Sequence, residues 1–491
     1  IVQRHFGWLA VAMMMLISVS SLSAQDTRFT DVNGQGEINE GSEYYIGLPN
    51  CWKDPSDNVP PGMVPNEAWV SSKVSTMVMV ENKSLGINIS YPVEPGKHTV
   101  IPLPDVLMNG RAGVVNPYGI RLVGNDPISV IVSSNWRSSG AIYKALPVEM
   151  LGKKYAALSL YQDNQGDNRP GQILVVGTKD QTEVRWTLPK ACKSTTETGE
   201  GSVTLNEGET YLIQLKMDDK YNQNPQADLT GTIVTGSKPI GVITGHTKGA
   251  MPRYEGSFYA LRTDMVRNME IEMILPMEIA GTEFMTVPRI VEGRTLHKWP
   301  DDNGDMIRFV AVEDNTVVYQ MRQNGAGTYQ RCPPLHPGEF YEITNMEEAA
   351  YYTTTKPVVV GQYLKAWLMH AYEKKDASPL GHVSGGLGEM INVTPLNAWP
   401  SYATFRAPKL NNNYVNATFR TDDIEKIRVN GKTLSQFFGS KIQKYQGTDF
   451  SYAAKPISAG DYVIEGADGA KFAAYAYGNW ETTEYPTPHN Y

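Results

Sequence analysis

The side chains with the most chemical potential in this 491-residue chain are dispersed, and few stand at spacings that a reaction or a metal requires. The best candidate for a metal is Pro300-Asp-Asp-Asn-Gly-Asp305. Asp301, Asn303 and Asp305 put oxygens at alternate positions, as a calcium loop begins, because a hard cation needs several oxygens converging from one tight turn. Gly304 falls too early for the EF-hand turn, and Val312 stands where a bidentate Glu is needed. A solvated Asp-Asn-Gly turn is the simpler reading, so calcium is the one cofactor left open and no other is implied. There is no Gly-x-Ser-x-Gly elbow, no His-Glu-x-x-His and no Walker loop, and Gly385-Gly-Leu-Gly388 has no strand before it. The histidines are scattered without metal-ligand spacing. Carboxylates are plentiful, so a glycoside hydrolase whose acid pair comes from distant loops remains an alternative. Cys51, Cys192 and Cys332 lie far apart and read as three buried thiols.

Aromatic residues offer a pattern where catalytic residues do not. Trp136, Trp367 and Trp480 each fall just past a β-branched or small-residue strand, and His246 takes the corresponding place after a fourth such strand. Rings at one end of four related units could line a face for a glycan or protein partner, since Trp presents area at little entropic cost. The competing and commoner use of such rings is to plug the ends of their own cores.

What places these residues equivalently is an internal repeat. A glycine turn followed by an alternating strand recurs as Pro95-Gly-Lys-His-Thr-Val-Ile101, Glu207-Gly-Glu-Thr-Tyr-Leu-Ile213, Pro337-Gly-Glu-Phe-Tyr-Glu-Ile343 and Ala459-Gly-Asp-Tyr-Val-Ile464. A closing strand recurs as Asp126-Pro-Ile-Ser-Val-Ile-Val132, Lys238-Pro-Ile-Gly-Val-Ile243, Lys356-Pro-Val-Val-Val-Gly361 and Lys471-Phe-Ala-Ala-Tyr-Ala476. The glycines are separated by 112, 130 and 122 residues, a domain-sized period, whereas solenoid repeats run to about 20–50 residues. With 44 Gly, 31 Pro and few helical stretches, the chain is expected to be all-β, in four tandem related β-sandwich units with few short helical turns. A four-bladed propeller is the rival, but its blades need only about 40–50 residues each. The expected divisions are a signal peptide over 1–24, an exposed lead-in over 25–41, units over 42–145, 146–274, 275–393 and 394–480, and a tail over 481–491. Met265 to Ile274 and Leu434 to Phe438 could each form a turn or two of helix.

Arg4 and His5 precede an apolar run from Trp8 to Ile17, and Leu22-Ser-Ala24 offers a small-x-small cleavage site before Gln25. The run is short for a membrane span, so the expectation is a protein that is secreted or at the cell surface, with no span after cleavage. The net charge of −8, with no basic cluster, excludes a nucleic-acid partner, which needs a basic face.

The landmarks Gly236-Ser-Lys-Pro-Ile-Gly-Val-Ile-Thr-Gly-His246 and Leu275-Pro-Met-Glu-Ile-Ala-Gly-Thr-Glu-Phe284 resemble the N-terminal domain of the IgGFc-binding protein family, in a bacterial exported form. The resemblance runs from about Glu43 to Trp480. It implies an exported, non-enzymatic binding or adhesion protein, recognising a protein or glycan through loops and strand-end aromatics. The family's namesake binds the constant region of immunoglobulin G. Here Thr247-Lys248-Gly249 replaces the cysteines that follow the Gly-His pair in it, so immunoglobulin binding is not carried over. A structural component of an extracellular matrix or sheath is the alternative from another class.

Overall fold

The computed structural model describes residues 13–17, 39–52, 66–136, 139–161, 169–190, 192–196, 198–216, 227–249, 268–290, 304–364, 388–407 and 412–479. These residues are nearly all β. The cause is visible in single strands. In Thr182–Thr187 the residues Thr182, Val184 and Trp186 are buried while Glu183, Arg185 and Thr187 are exposed, the period-two pattern of a strand covered on one face. Central strands such as Gly171–Gly177 are buried throughout, because sheet or core covers both faces.

The second unit shows the plan. A four-stranded sheet runs Lys154–Ala156, Ile233–Gly236, Thr182–Thr187, Glu200–Leu205. It accompanies a five-stranded sheet that runs Asn268–Met273, Ile240–Gly249, Gly171–Gly177, Thr210–Gln214 and ends on Val115–Asn116, lent by the unit before. The fourth unit also has one four-stranded and one five-stranded sheet. In the first and third units one long strand, Ile120–Trp136 or Ala350–Leu364, passes through both halves and joins them into a seven-stranded network.

Short 3-10 turns at Val148–Met150, Met277–Ile279 and Leu396–Ala398 open the later units, each behind a proline whose fixed φ suits a helical start. Leu434–Phe438 is the one α-helix among the described residues, held by a capping box between Thr433 and Gln436. The other segment expected to turn helically does not. Asn268–Met273 is a strand, and its Met269-Glu-Ile-Glu-Met273 sequence alternates at the period of a strand rather than a helix.

That strand belongs to a feature shared by all four units. In three of them the chain turns back after the closing strand and pairs antiparallel with it. Ser139–Lys144 pairs with Ile120–Trp136, Asn268–Met273 with Ile240–Gly249, and Glu389–Asn392 with Ala350–Leu364. The fourth closing strand, Phe472–Asn479, takes its partner from the other end of the chain, Met13–Ile17. Part of the apolar lead, expected to stand outside the fold, thus supplies one of its strands. The four return strands pack against one another in a cycle, first to second to third to fourth and back to first, and so form the axis of a closed ring.

The ring closes through side chains as well. Asn39 Nδ2 donates to the Tyr402 carbonyl at 2.8 Å, the Ser71 and Thr404 hydroxyls meet at 2.5 Å, and His98 Nδ1 lies 2.9 Å from Asp461. Each apolar cluster crosses a boundary between units. Leu174, Val176 and Leu212 join the core of the first unit, Met306 and Val359 that of the second, Tyr445 and Phe450 that of the third, and Trp69 and Ile142 that of the fourth. The units are therefore not beads on a string, because each completes its core with the next. At one such boundary a Cβ on Gly231, which has φ of +89°, would stand 1.8 Å from the Gly338 carbonyl oxygen. Only glycine permits that approach and that backbone.

Candidate functional site

The ring axis gathers charge where strand periodicity alone would place solvent. Glu270 and Glu272 alternate along a return strand, and Glu389 opens the next one. An alternating strand with one wet face would expose them, but the return strands are covered on both sides and all three carboxyls are buried. Neither carboxyl of Glu270 nor of Glu272 has a hydrogen-bond partner among the described residues. Burial pushes both well above the ordinary carboxylate range, with Arg289 opposing it. Glu389 is pushed up to about 8 by burial, even though Arg289 Nη1 donates to its Oε2 at 3.0 Å. Glu270 and Glu389 border a cavity of about 10 Å³ together with Ile142, Met269 and Met390. That volume holds about one water and admits no sugar, so this pair of carboxyls is no glycosidase cleft.

Around the axis the charges are paired. Asp305 accepts from the Arg289 backbone N–H at 3.1 Å and from Gln362 Nε2 at 2.6 Å. Arg308 pins the second unit to the third: its Nη1 donates to the Ser159 carbonyl, Asp228 and the Thr230 hydroxyl, each at 2.7 Å, and its Nε to Glu342 at 2.8 Å. Its guanidinium lies 4.7 Å from the Phe340 ring centroid. Burial alone would lower the Arg308 pKa, but Asp228 and Glu342 more than offset it and hold the group charged.

The closing strands carry the sequence-predicted site residues to this axis with different outcomes. His246 lies on Ile240–Gly249 opposite Gly171 and Glu270, fully buried, with Nδ1 accepting from the Lys248 N–H at 3.2 Å. Trp136 ends the first closing strand opposite Ser139, and its side chain is not described. Trp367 and Trp480 lie outside the described residues, as do Asp301 and Asn303. Asp305 is described, and its carboxylate is engaged by Arg289 and Gln362 rather than held in an open loop.

The ring that does stand at the end of a closing strand is Trp52, which the sequence did not single out. The Trp52 backbone N–H donates to the Thr247 carbonyl at 3.2 Å, so the stretch after Leu48 is tied to the end of the second unit's closing strand. Arg169 lies 4.4 Å and Lys248 5.2 Å from the Trp52 ring centroid, and the indole is only partly buried. Both cations are buried and lie over the ring, so they hold the indole in place and leave only its uncovered side to a ligand. A second concavity, of about 40 Å³, opens between the third and fourth units and is lined by Arg322, Tyr351, Lys444, Tyr445 and Tyr452. All three cysteines are buried, and none is in a disulfide.

Two landmarks of this site, the Gly-His pair of the second closing strand and the Leu-Pro opening that follows its return strand, lie within the span that relates the chain to others. The profile of the family described as IgGFc binding protein matches residues 142–478. The chain belongs to the IgGFc binding protein family. The match to this IgGFc binding protein profile begins inside the first return strand and runs through the second, third and fourth units to the end of the last closing strand. No curated protein matches the chain. Among solved structures, trypsin-activated alpha-2-macroglobulin from Escherichia coli aligns at 9% identity and a TM-score of 0.10, over 91% of this chain. The chain spans 41% of that structure's length, and a likeness so slight informs neither fold nor function. Among the described residues no helix is long and apolar enough to cross a membrane.

Proposed function

We propose that this member of the IgGFc binding protein family is an exported, non-enzymatic binding protein that recognises a protein or glycan at the cell exterior. The contact surface is the end of the ring where the closing strands finish. The observation that carries the reading is Trp52, partly exposed, with the buried cations Arg169 and Lys248 against its ring, and tied through its backbone N–H to Ile240–Gly249, the strand that carries His246. The family's description supports a binding role, but the Fc region is not assigned as this chain's partner. Export rests on the charged, apolar and small-residue pattern of residues 1–24.

The test is a glycan and extracellular-protein array probed with the chain from Gln25 onward and with its Trp52→Ala variant. Binding that is lost in a folded Trp52→Ala protein supports the site. Equal binding by both removes Trp52 from it, and ordered self-assembly with no array signal favours the matrix-component reading instead.

A further inference from the structure

The four closing strands hold their partners in one register, and that regularity exposes an exception. The Ile240 N–H donates to the Gly152 carbonyl and the Phe472 N–H to that of Pro400, which stand five residues after Pro147 and Pro395, so Lys471 is the spatial counterpart of Pro239; counting four residues on from Pro127, Pro239, Pro357 and Lys471 gives Ile131, Ile243, Gly361 and Tyr475. Opposite them stand Lys144, Met273, Asn392 and Leu16. Met13–Ile17 therefore occupies the fourth seat in the same alignment that the sequence-following strands adopt in the other three.

Its spacing is nevertheless wrong. Lys144 precedes Gly152 by eight residues, and Met273 precedes Gly281 by eight. These glycines are equivalent in space as well as in sequence. A Cβ on Gly152 would meet Pro276 at 2.4 Å and one on Gly281 would meet Pro395 at 2.3 Å, just as one on Gly41 would meet Pro147 at 2.3 Å. Leu16, by contrast, precedes Gly41 by 25 residues. The residue eight before Gly41 is Asn33. Phe29-Thr-Asp-Val-Asn33 is thus the stretch whose distance from its unit matches that of the two return strands, with Val32 at the position of Tyr143, Glu272 and Ile391.

We propose that the edge of Phe472–Asn479 is an exchangeable strand-binding seat, and that residues 29–33 of the same chain fill it once the apolar lead before Gln25 is removed. The inference rests on the proposed export only for that removal. The seat cannot stay empty cheaply. Ala474, Tyr475, Ala476 and Tyr477 are buried at the axis, and an unpaired buried ladder edge leaves its N–H and C=O groups without partners. Ala145, Ile274 and Val393 each donate a backbone N–H to the closing strand at Val130, Val242 and Val360. Backbone groups facing the partner alternate along an antiparallel strand, so the residue two earlier, the position of Val32, also bonds inward. The seat is therefore read mainly through main-chain hydrogen bonds, which suits an extended segment of modest sequence demands.

The experiment uses a recombinant chain beginning at Gln25, so its outcome does not depend on whether cells cut there. Hydrogen exchange followed by mass spectrometry is expected to show residues 29–33 and 472–479 protected together, on the order of 100-fold over an unstructured peptide, at any protein concentration. A chain beginning at Gly34 should bind a labelled synthetic peptide of residues 27–33 at one to one. The chain from Gln25 should not bind it, and the Val32→Pro peptide should not bind to either. Free exchange at 29–33 overturns the proposal, whether 472–479 is then exposed or is protected only as concentration rises, the latter placing a second copy in the seat. Failure of the Gly34 chain to take the peptide, with its fold intact by circular dichroism, overturns it equally.

Discussion

Arg308→Met is the substitution whose effect follows most directly from the structure. Arg308 is buried between the second and third units and makes charge-assisted bonds to Asp228 and Glu342 and further bonds to the Ser159 carbonyl and the Thr230 hydroxyl. Methionine keeps much of the aliphatic volume beside Phe340 and Tyr363 but satisfies none of these acceptors. Glu342 is the more exposed partner and can turn to water, whereas Asp228 cannot. Removing one partner of a buried pair costs about 3–5 kcal/mol, mostly from the charge left behind. The loss should appear as a lower urea midpoint by tryptophan fluorescence and as faster amide exchange in both 227–234 and 305–311, since the contact joins two units. Adding Asp228→Asn should restore part of the loss, because the stranded charge is gone. A loss below about 1 kcal/mol, or one that Asp228→Asn deepens, would refute the reasoning.

Other consequences can be checked alongside. Glu272 keeps its proton to a higher pH in the folded chain than in the unfolded one, because burial raises its pKa. The stability this brings is complete below the ordinary carboxyl value of about 4.3 and declines as pH rises above it. Glu272→Gln should therefore flatten the fall of the urea midpoint from acid toward neutral pH, and an unchanged slope would contradict the buried, unpartnered carboxyl. Gly231→Ala should lower the unfolding free energy by at least about 2 kcal/mol, combining positive φ with collision against Gly338, whereas Gly431→Ala meets open space and should show only the backbone cost of about 1 kcal/mol. Cys51, Cys192 and Cys332 should stay silent to a thiol reagent in the native chain and all react in denaturant, with burial holding the Cys192 thiol up at about 11.

The local grammar of this protein was legible in its sequence, and its global closure was not. Proline-glycine turns and β-branched runs announce strands wherever they occur, because φ restriction and side-chain crowding act within a few residues. The Leu434–Phe438 helix could be read for the same reason. Met269-Glu-Ile-Glu-Met273 reads as a turn of helix in sequence because what buries Glu270 and Glu272 on an apparently polar face includes Ser139–Lys144 and Glu389–Asn392, each more than 100 residues away. Trp52 went unnoticed because its partners Arg169 and Lys248 come from a different unit, and nothing at Cys51-Trp52 signals them. His246 was singled out for its place at a strand end, and it is indeed there, yet it faces the buried axis opposite Glu270.

Everything at the axis depends on the first unit meeting the fourth. Ser71 and Thr404 are 333 residues apart in sequence and their hydroxyls touch at 2.5 Å, which makes them the most direct probe. In a Ser71→Cys, Thr404→Cys chain oxidised at low concentration, the closed ring predicts an intramolecular disulfide, identified by its cross-linked peptide, in most of the monomer. A linear array of units would give only mixed dimers or unreacted thiols, and that result would contradict the ring.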